Sequence, residues 1–396
     1  MNRKEWMLMV LLASINFSHI LDFMIMMPLG NGLMNSLHIN TQQFSWLVSS
    51  YVFSAGVASI SASFFIDNFD RKKALIFAYS GFLMGTLACV FAESYEELLA
   101  SRVLAGLFGG LIGAQAQSIV ADYFIYERRA TAMGVFMAGF SVASVIGVPI
   151  ALKLSTLYGW HAPFILVISF GALIFPLLIK YIPNMTSHLS NRQVKHTPFL
   201  AIQNVISNKN QRRALLLTFF VQCSHFSIVP FIAPSLEANV GLDRDAISLT
   251  YFLGGIFTFF TSPWIGKIAD VKGKHLVFSV FAIASCIVLY LFTNLGTSPL
   301  VIVYFITTLF FICSSGRFVP MQTLISSVVM PEHRGSFMNI NAFVSQVSSG
   351  IGTMLAGAIV VKESNGFLNN YEYVGYFAIT LSLISVFLAS RIKHVS

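Results

Sequence analysis

Twelve long apolar runs, separated by short polar gaps, follow one another along this chain: roughly residues 6–30, 42–66, 74–92, 97–121, 131–156, 162–181, 213–235, 246–267, 275–293, 299–324, 336–361 and 372–390. A bilayer's hydrocarbon core needs about 20 residues of helix, so each run is long enough to cross it. None shows the strict polar/apolar alternation of a barrel strand, and the pattern predicts transmembrane helices. The gaps are not alike. Nineteen of the 24 Lys and Arg residues fall in every second gap: at Arg3 and Lys4, Arg71 to Lys73, Arg128 and Arg129, Lys180 to Arg213, Lys267 to Lys274, Arg334, and Arg391 with Lys393. Basic residues near span ends stay on the cytoplasmic side. An even number of crossings with both termini inside is therefore expected.

Composition points the same way. The chain is 56% hydrophobic and 10% charged with a mean hydropathy of +0.75, far from the quarter-charged average of soluble domains. The first run is too long, and too polar in its middle, for a cleaved leader, and no small-residue cleavage site follows it, so it is expected to be a retained span. The net charge of +8 comes from the inside gaps and reads as membrane orientation, which argues against a nucleic-acid partner. Cys89, Cys223, Cys286 and Cys313 sit singly in apolar runs, the pattern of small core residues, and no disulfide or metal site is expected. The sequence has no Walker loop, no His-Glu-x-x-His and no Gly-x-Ser-x-Gly, so neither ATP-driven work nor an intramembrane enzyme is expected, and no cofactor is implied.

The one long polar interruption, Tyr181 to Arg212, divides twelve spans into six and six, giving expected units of 1–181 and 213–396 with a cytoplasmic linker at 182–212. The two halves repeat each other. Ser18-His19 followed by Pro28 returns as Ser224-His225 followed by Pro234. Asp67 with Arg71-Lys72 is echoed by Asp270 with Lys274-His275, and Glu127-Arg128-Arg129 by Glu332-His333-Arg334. Two parallel six-helix halves are the arrangement in which one bundle rocks against the other around a midplane site.

With these features the chain resembles the major facilitator superfamily over essentially its whole length. The family's loop between helices 2 and 3 reads Gly-x-x-x-Asp-Arg/Lys-x-Gly-Arg/Lys-Arg/Lys. Here Ser63-x-x-x-Asp67-Asn68-Phe69-Asp70-Arg71-Lys72 fits it with Ser and Asp in place of the two glycines, and Gly266-x-x-x-Asp270-Val271-Lys272-Gly273-Lys274 is the closer second copy. The resemblance implies a cytoplasmic gate made of Asp67, Arg71 and Asp122, with Asp270 and Lys274 in the second copy. Arg102, followed four residues later by Gly106, is similar to the family's helix 4 motif. Gly134, Gly139, Ala143, Gly147 and Pro149 form a small-residue stripe that lets helices approach closely and is similar to the mark of exporters. The antiporters' adjacent Gly-Pro is replaced by Gly-Val-Pro, which, with Gly159-Trp160-His161-x-x-Phe164, resembles the sugar-efflux-like members.

Of 16 acids, seven lie at cytoplasmic gaps, eight at outer gaps, and only Asp22 lies inside a span. An ionisable group there is costly and is functional by default. Asn16, His19 and Asp22 recur at i, i+3 and i+6, along one stripe of an otherwise apolar helix. At about 1.5 Å rise per residue, Asp22 lies roughly 10 Å and Arg102 roughly 7–8 Å from their outer helix ends, so the two can meet if their helices face each other. Two readings stand: a proton switch whose cation moves away, the role the family resemblance implies for a helix 1 acid, or a fixed structural pair. His19 and His225 are either proton carriers or neutral histidines bonded across helices. Arg317, deeper toward the cytoplasm, either binds an anionic substrate group or bonds backbone carbonyls near Gly316 and Pro320. Tyr51, Gln115, Gln222, His225, Tyr251 and Asn341 are further candidates for lining a substrate site.

The expectation is therefore an all-α integral membrane protein, twelve transmembrane helices in two pseudo-symmetric six-helix bundles around a central cavity. It would export a small organic solute against proton entry, with Asp22, His19 and Arg102 handling the proton. Uptake of an amphipathic or anionic solute is the alternative within transport, and a transport-dead receptor is the alternative outside it. A single chain suffices, and short loops without a targeting peptide favour a bacterial inner membrane.

Overall fold

The computed structural model describes residues 3–62, 69–124, 139–185, 207–330 and 334–393, with isolated positions 132, 135, 136 and 205. Twelve helices in it are long and apolar enough to span a membrane: α1 (Arg3–Ile25), α2 (Thr41–Ala62), α3 (Arg71–Phe91), α4 (Tyr95–Tyr123), α5 (Gly139–Tyr158), α6 (Ala162–Tyr181), α7 (Lys209–Val240), α8 (Arg244–Lys272), α9 (Lys274–Thr293), α10 (Leu300–Ser326), α11 (Arg334–Ile359) and α12 (Tyr371–Ala389). Strand among the described residues is confined to a two-residue pairing of Val361–Lys362 with Leu368–Asn369. Large apolar side chains such as Phe77, Met84, Leu173, Phe260 and Phe305 point away from the protein. In water such a surface would drive association; lipid is its natural solvent.

Polar residues in the gaps set the helix ends. Ser94 opens α4 by accepting from the Glu97 amide, while the Glu97 carboxylate accepts from the Glu93 amide, a variant of the reciprocal capping box. Asp243 caps α8 through the Ala246 amide and Asn208 caps α7 through the Asn210 and Gln211 amides. These contacts satisfy amide groups that a helix start otherwise leaves unpaired.

The two copies of the repeated loop motif close by different means. In the second copy Gly273 sits at φ 96°, in the left-handed region that only glycine adopts at little cost. The equivalent place in the first copy is Asp70, at φ −56° and ψ 128°, where no glycine is needed. Its carboxylate instead caps α3 by accepting from the Lys72 amide at 2.8 Å, and also accepts from the Met185 amide at 3.1 Å beyond the end of α6. The departure from the family pattern thus exchanges a backbone conformation for a side-chain clasp.

Pro149 explains the irregular middle of α5. Without an amide hydrogen, and with a ring that collides with the preceding turn, it widens residues Ala143–Gly147 into a π-turn before the helix resumes at Val148. Small residues let this segment lie against α1: a methyl group added at Gly139 would stand 2.9 Å from the Ala13 carbonyl oxygen, and at Gly147 2.7 Å from Leu21.

The chain forms two compact units, residues 1–26 with 50–197, and 27–49 with 198–396. The short helix Gly30–Ser36 and the first turns of α2 belong to the second unit, because Asn31 donates to the Pro234 carbonyl and to Glu237, and Thr41 donates to the Gly357 and Val360 carbonyls. The core of that unit is apolar, built on Leu217, Val221, Phe278, Met321, Ile325 and Phe337. The expected linker lies mostly outside the described residues, as do Asp67, Glu127, Glu332 and the side chain of Arg334.

Asp70→Ala removes the α3 cap and the tie to Met185 together and is expected to cost about 1–2 kcal/mol. Asp70→Asn, which keeps the acceptor oxygen, should cost less. Thermal unfolding in detergent reads both, and equal stability of the alanine variant and the parent would contradict this role.

Candidate functional site

Asp22 on α1 and Arg102 on α4 form an ion pair in the first unit. Nη1 of Arg102 lies 2.7 Å from Oδ2 of Asp22, and neither side chain has any solvent exposure. The other carboxylate oxygen accepts from the Thr86 hydroxyl of α3 at 3.1 Å, a hydroxyl that lies equally close to the Phe82 carbonyl oxygen. The guanidinium lies over the Tyr51 ring, 4.4 Å from its centroid, so a cation–π contact supplements the single carboxylate. Its Nε and Nη2 groups have no hydrogen-bond partner. The pair anticipated from helix depth therefore exists, and three helices and an aromatic face converge on it.

Close helix approach makes this possible. A methyl group added at Gly106 would sit 2.3 Å from the Tyr51 carbonyl oxygen and 2.2 Å from the Ser54 hydroxyl. Backbone of α4 thus rests on backbone of α2 at Gly106, one turn from Arg102, and this holds the Tyr51 ring against the guanidinium. His19, one turn before Asp22, packs between Tyr51 at 6.1 Å and Phe82 at 5.9 Å, and its Nδ1 is unpartnered. Asn16 faces α5 instead and donates to the Phe136 carbonyl, which makes it helix-joining rather than part of this cluster.

Energetics give the pair its significance. Burying two charges costs several kcal/mol per ion, and their attraction offsets this only with good geometry and further hydrogen bonds. Here the Asp22 carboxylate has two donors, whereas Nε and Nη2 of the guanidinium have no oxygen or nitrogen acceptor, and the Cys89 thiol is the weak acceptor at hand. A pair selected for rigidity alone would satisfy both partners. This one leaves the cation ready for another acceptor.

The other anticipated residues divide clearly. Gln115 is buried on α4 with an unpartnered Oε1. In the second unit, Gln222 donates to the Ser345 hydroxyl and Asn341 accepts from Thr218, so both join α7 to α11. The Tyr251 hydroxyl is buried without a partner, and the His225 ring stacks on Phe310. Arg317 is wholly buried on α10 and donates to the Ser382 hydroxyl of α12 at 3.0 Å rather than to the carbonyls near Gly316 and Pro320. At the basic end of the first unit Arg71 meets Asp122 at 3.2 Å, and in the second Lys274 meets Asp270 at 3.5 Å. The latter is exposed and worth little energetically. The four cysteines are free. Thr86 escaped the sequence reading, since a lone Thr in an apolar run also bonds commonly to its own helix; only the depth of Asp22 could have pointed to it.

Twelve spans with a charged pair buried among them define a polytopic membrane transporter. The sequence profile of the Major Facilitator Superfamily matches residues 12–353 and 214–395, and the chain belongs to that superfamily. It is a secondary transporter of small molecules, not an enzyme. The Bacillus subtilis (strain 168) uncharacterized MFS-type transporter YceJ is 22% identical over 85% of each chain. A probable sugar efflux transporter of Mannheimia succiniciproducens is 20% identical over 97% of this chain and 93% of its own. Among solved structures, a bacterial homolog to the human lysosomal transporter Spinster superposes with a TM-score of 0.79 at 16% identity, covering 100% of this chain and 99% of that one.

Asp22→Asn leaves the Arg102 charge without its counter-charge and is expected to destabilise the protein by about 3–5 kcal/mol. Combining it with Arg102→Gln removes both charges and should recover most of that loss. A double variant no more stable than Asp22→Asn would contradict the reading of the pair as mutually compensating.

Proposed function

We propose that the protein is a proton-coupled exporter of a small organic solute, with Asp22 as the proton site and Arg102 as the group that senses its charge. The observation that carries this is the buried Asp22–Arg102 pair, whose cation keeps Nε and Nη2 free. While Asp22 is ionised, the pair holds α1 to α4. A proton on Asp22 removes the counter-charge and leaves the buried guanidinium of Arg102 at a cost of several kcal/mol. That cost favours a shift of the helices to an arrangement in which Arg102 finds another acceptor, which converts proton binding into movement. Thr86 acts as a positioning residue that fixes the carboxylate, and Tyr51 steadies the cation during the exchange. His19, one turn from Asp22 and with an unpartnered Nδ1, is the second candidate to carry the proton.

Export is favoured by the Gly139, Gly147 and Pro149 stripe on α5 and by the similarity along nearly the whole chain to a probable sugar efflux transporter. The distribution of Lys and Arg favours an orientation with both termini in the cytoplasm, and the bacterial relatives favour a bacterial inner membrane. In that orientation the Arg71–Asp122 and Lys274–Asp270 pairs lie at the inner end of their units. They are assigned as gate elements, and the motif resemblance alone adds Asp67 to the first. Two six-helix bundles of one chain carry the whole transport cycle, so a monomer is sufficient.

The test uses everted vesicles with an acidified interior, challenged with a panel that includes xylose, ethidium and benzoate. For any member that discharges the pH gradient through the parent protein, Asp22→Asn and the Asp22→Asn/Arg102→Gln double variant should discharge none. Gradient discharge at the parental rate by the double variant would overturn the assignment of Asp22.

A further inference from the structure

The second unit holds a charge that nothing in it compensates. Arg317 is the sole fully buried ionic side chain of that unit among the described residues, and it forms no ion pair there. Isolated buried charge is among the most costly features a protein can carry, and inside membrane spans it marks a functional group by default.

Its orientation is set by a hydrogen-bond chain whose polarity can be worked out. Ser224 on α7 has one hydroxyl hydrogen, and gives it to the Ala378 carbonyl oxygen of α12 at 2.8 Å. The 3.0 Å contact between Ser224 and Ser382 must then be donated by Ser382. That leaves a Ser382 lone pair for Nη1 of Arg317, the contact at 3.0 Å. The run Arg317 to Ser382 to Ser224 to Ala378 is complete, with each hydroxyl donating once and accepting once. It therefore holds one arm of the guanidinium and has no role for the other two nitrogens.

Those two, Nε and Nη2, are both buried and unpartnered. They are the pair whose N–H bonds point the same way along one edge of the guanidinium, the fork that matches the two oxygens of a carboxylate. Around Arg317 stand the unpartnered Ser314 hydroxyl and the His225 ring, whose Nδ1 is also free and which is flanked by Phe310 at 5.9 Å and Phe318 at 5.0 Å. The thiols of Cys286 and Cys313 are the other neighbours that feel its charge. The environment is a cation with an aromatic and weakly polar wall. One guanidinium balances one negative charge, and the described interior of the unit has no second Lys or Arg to balance another.

We infer that the Nε–Nη2 edge of Arg317, held from behind by Ser382 and Ser224, is the binding site for the carboxylate of a monoanionic solute with an aromatic or apolar body. This deepens the transport reading by naming its substrate class. Arg317 supplies the charge and the fork, and the Phe310 and Phe318 region supplies the apolar surface. The fork is covered in the conformation described, so the solute enters when the unit opens.

Benzoate and benzamide serve as matched probes, alike in body and different in charge. Thermal-shift titration of the purified full-length protein at constant ionic strength should give a dose-dependent rise in Tm with benzoate and none with benzamide. Arg317→Gln should abolish the benzoate response, and Arg317→Lys, which keeps the charge without the fork, should weaken it at least about tenfold. Ligand-free Arg317→Gln should be as stable as the parent or more so, because a costly charge has been removed. Three results would each overturn the assignment: equal shifts with both probes or none with benzoate, a benzoate response that survives Arg317→Gln, or a ligand-free Arg317→Gln with a lowered Tm, which marks a structural arginine. The two readings fail separately. Loss of carboxylate selectivity with Asp22-dependent gradient discharge intact removes this site alone, and gradient discharge through Asp22→Asn/Arg102→Gln removes the coupling assignment alone.

Discussion

A carboxylate and a guanidinium, 2.7 Å apart and closed off from solvent, set the terms for the first unit of this protein. Each ion is costly there without the other. Keeping them together requires α1, α3 and α4 to meet at one depth, and the chain provides for this with small residues: Gly106 brings α4 onto the backbone of α2, and Gly139 brings α5 onto α1. Tyr51 and Thr86 then complete an arrangement that is well bonded at the acid and under-bonded at the base. In the proposed coupling that imbalance is what makes a switch, since the cost of losing the carboxylate's charge falls on a cation with donors to spare.

The second unit repeats the scaffold without the acid. His19 and Ser18 return as His225 and Ser224, whereas the place of Asp22 is taken by Ile228. Its arginine is carried on α10, well away from the position that would match Arg102, and is held by two serines instead of a carboxylate. Duplication has thus yielded one unit with a compensated charge and one with an uncompensated charge. A compensated pair responds to protons; an uncompensated cation responds to anions. The same six-helix plan carries both, with the acid on the first helix replaced and the arginine moved along the fourth.

Much of the fold was legible because a bilayer imposes blunt rules. Span length and the placement of Lys and Arg suffice to define twelve helices to within a few residues, and one acid in hydrocarbon stands out against an apolar background. Depth along the helix places Asp22 and Arg102 at nearly the same level from the sequence alone. What stayed hidden depends on rotation about the helix axis, which composition does not encode in a span apolar on nearly all sides. That Tyr51 lies beneath Arg102, that Gln222 and Asn341 bond to a neighbouring helix, and that Thr86 bonds to Asp22 are all matters of rotation. Asp70 at a family glycine was a visible anomaly, but only its bond to the Met185 amide gives the reason.

The account stands or falls on whether Asp22 changes its protonation state. Infrared difference spectroscopy on the purified protein, titrated through the pH range in which a gradient drives transport, reads that state through the carbonyl stretch of a protonated carboxyl group. The expected result is one such band that rises as the pH falls, is missing from Asp22→Asn, and moves when Thr86→Val removes its hydrogen bond. An Asp22 that stays ionised throughout that range, with transport still driven by protons, would contradict the account and leave the pair as a fixed brace between helices.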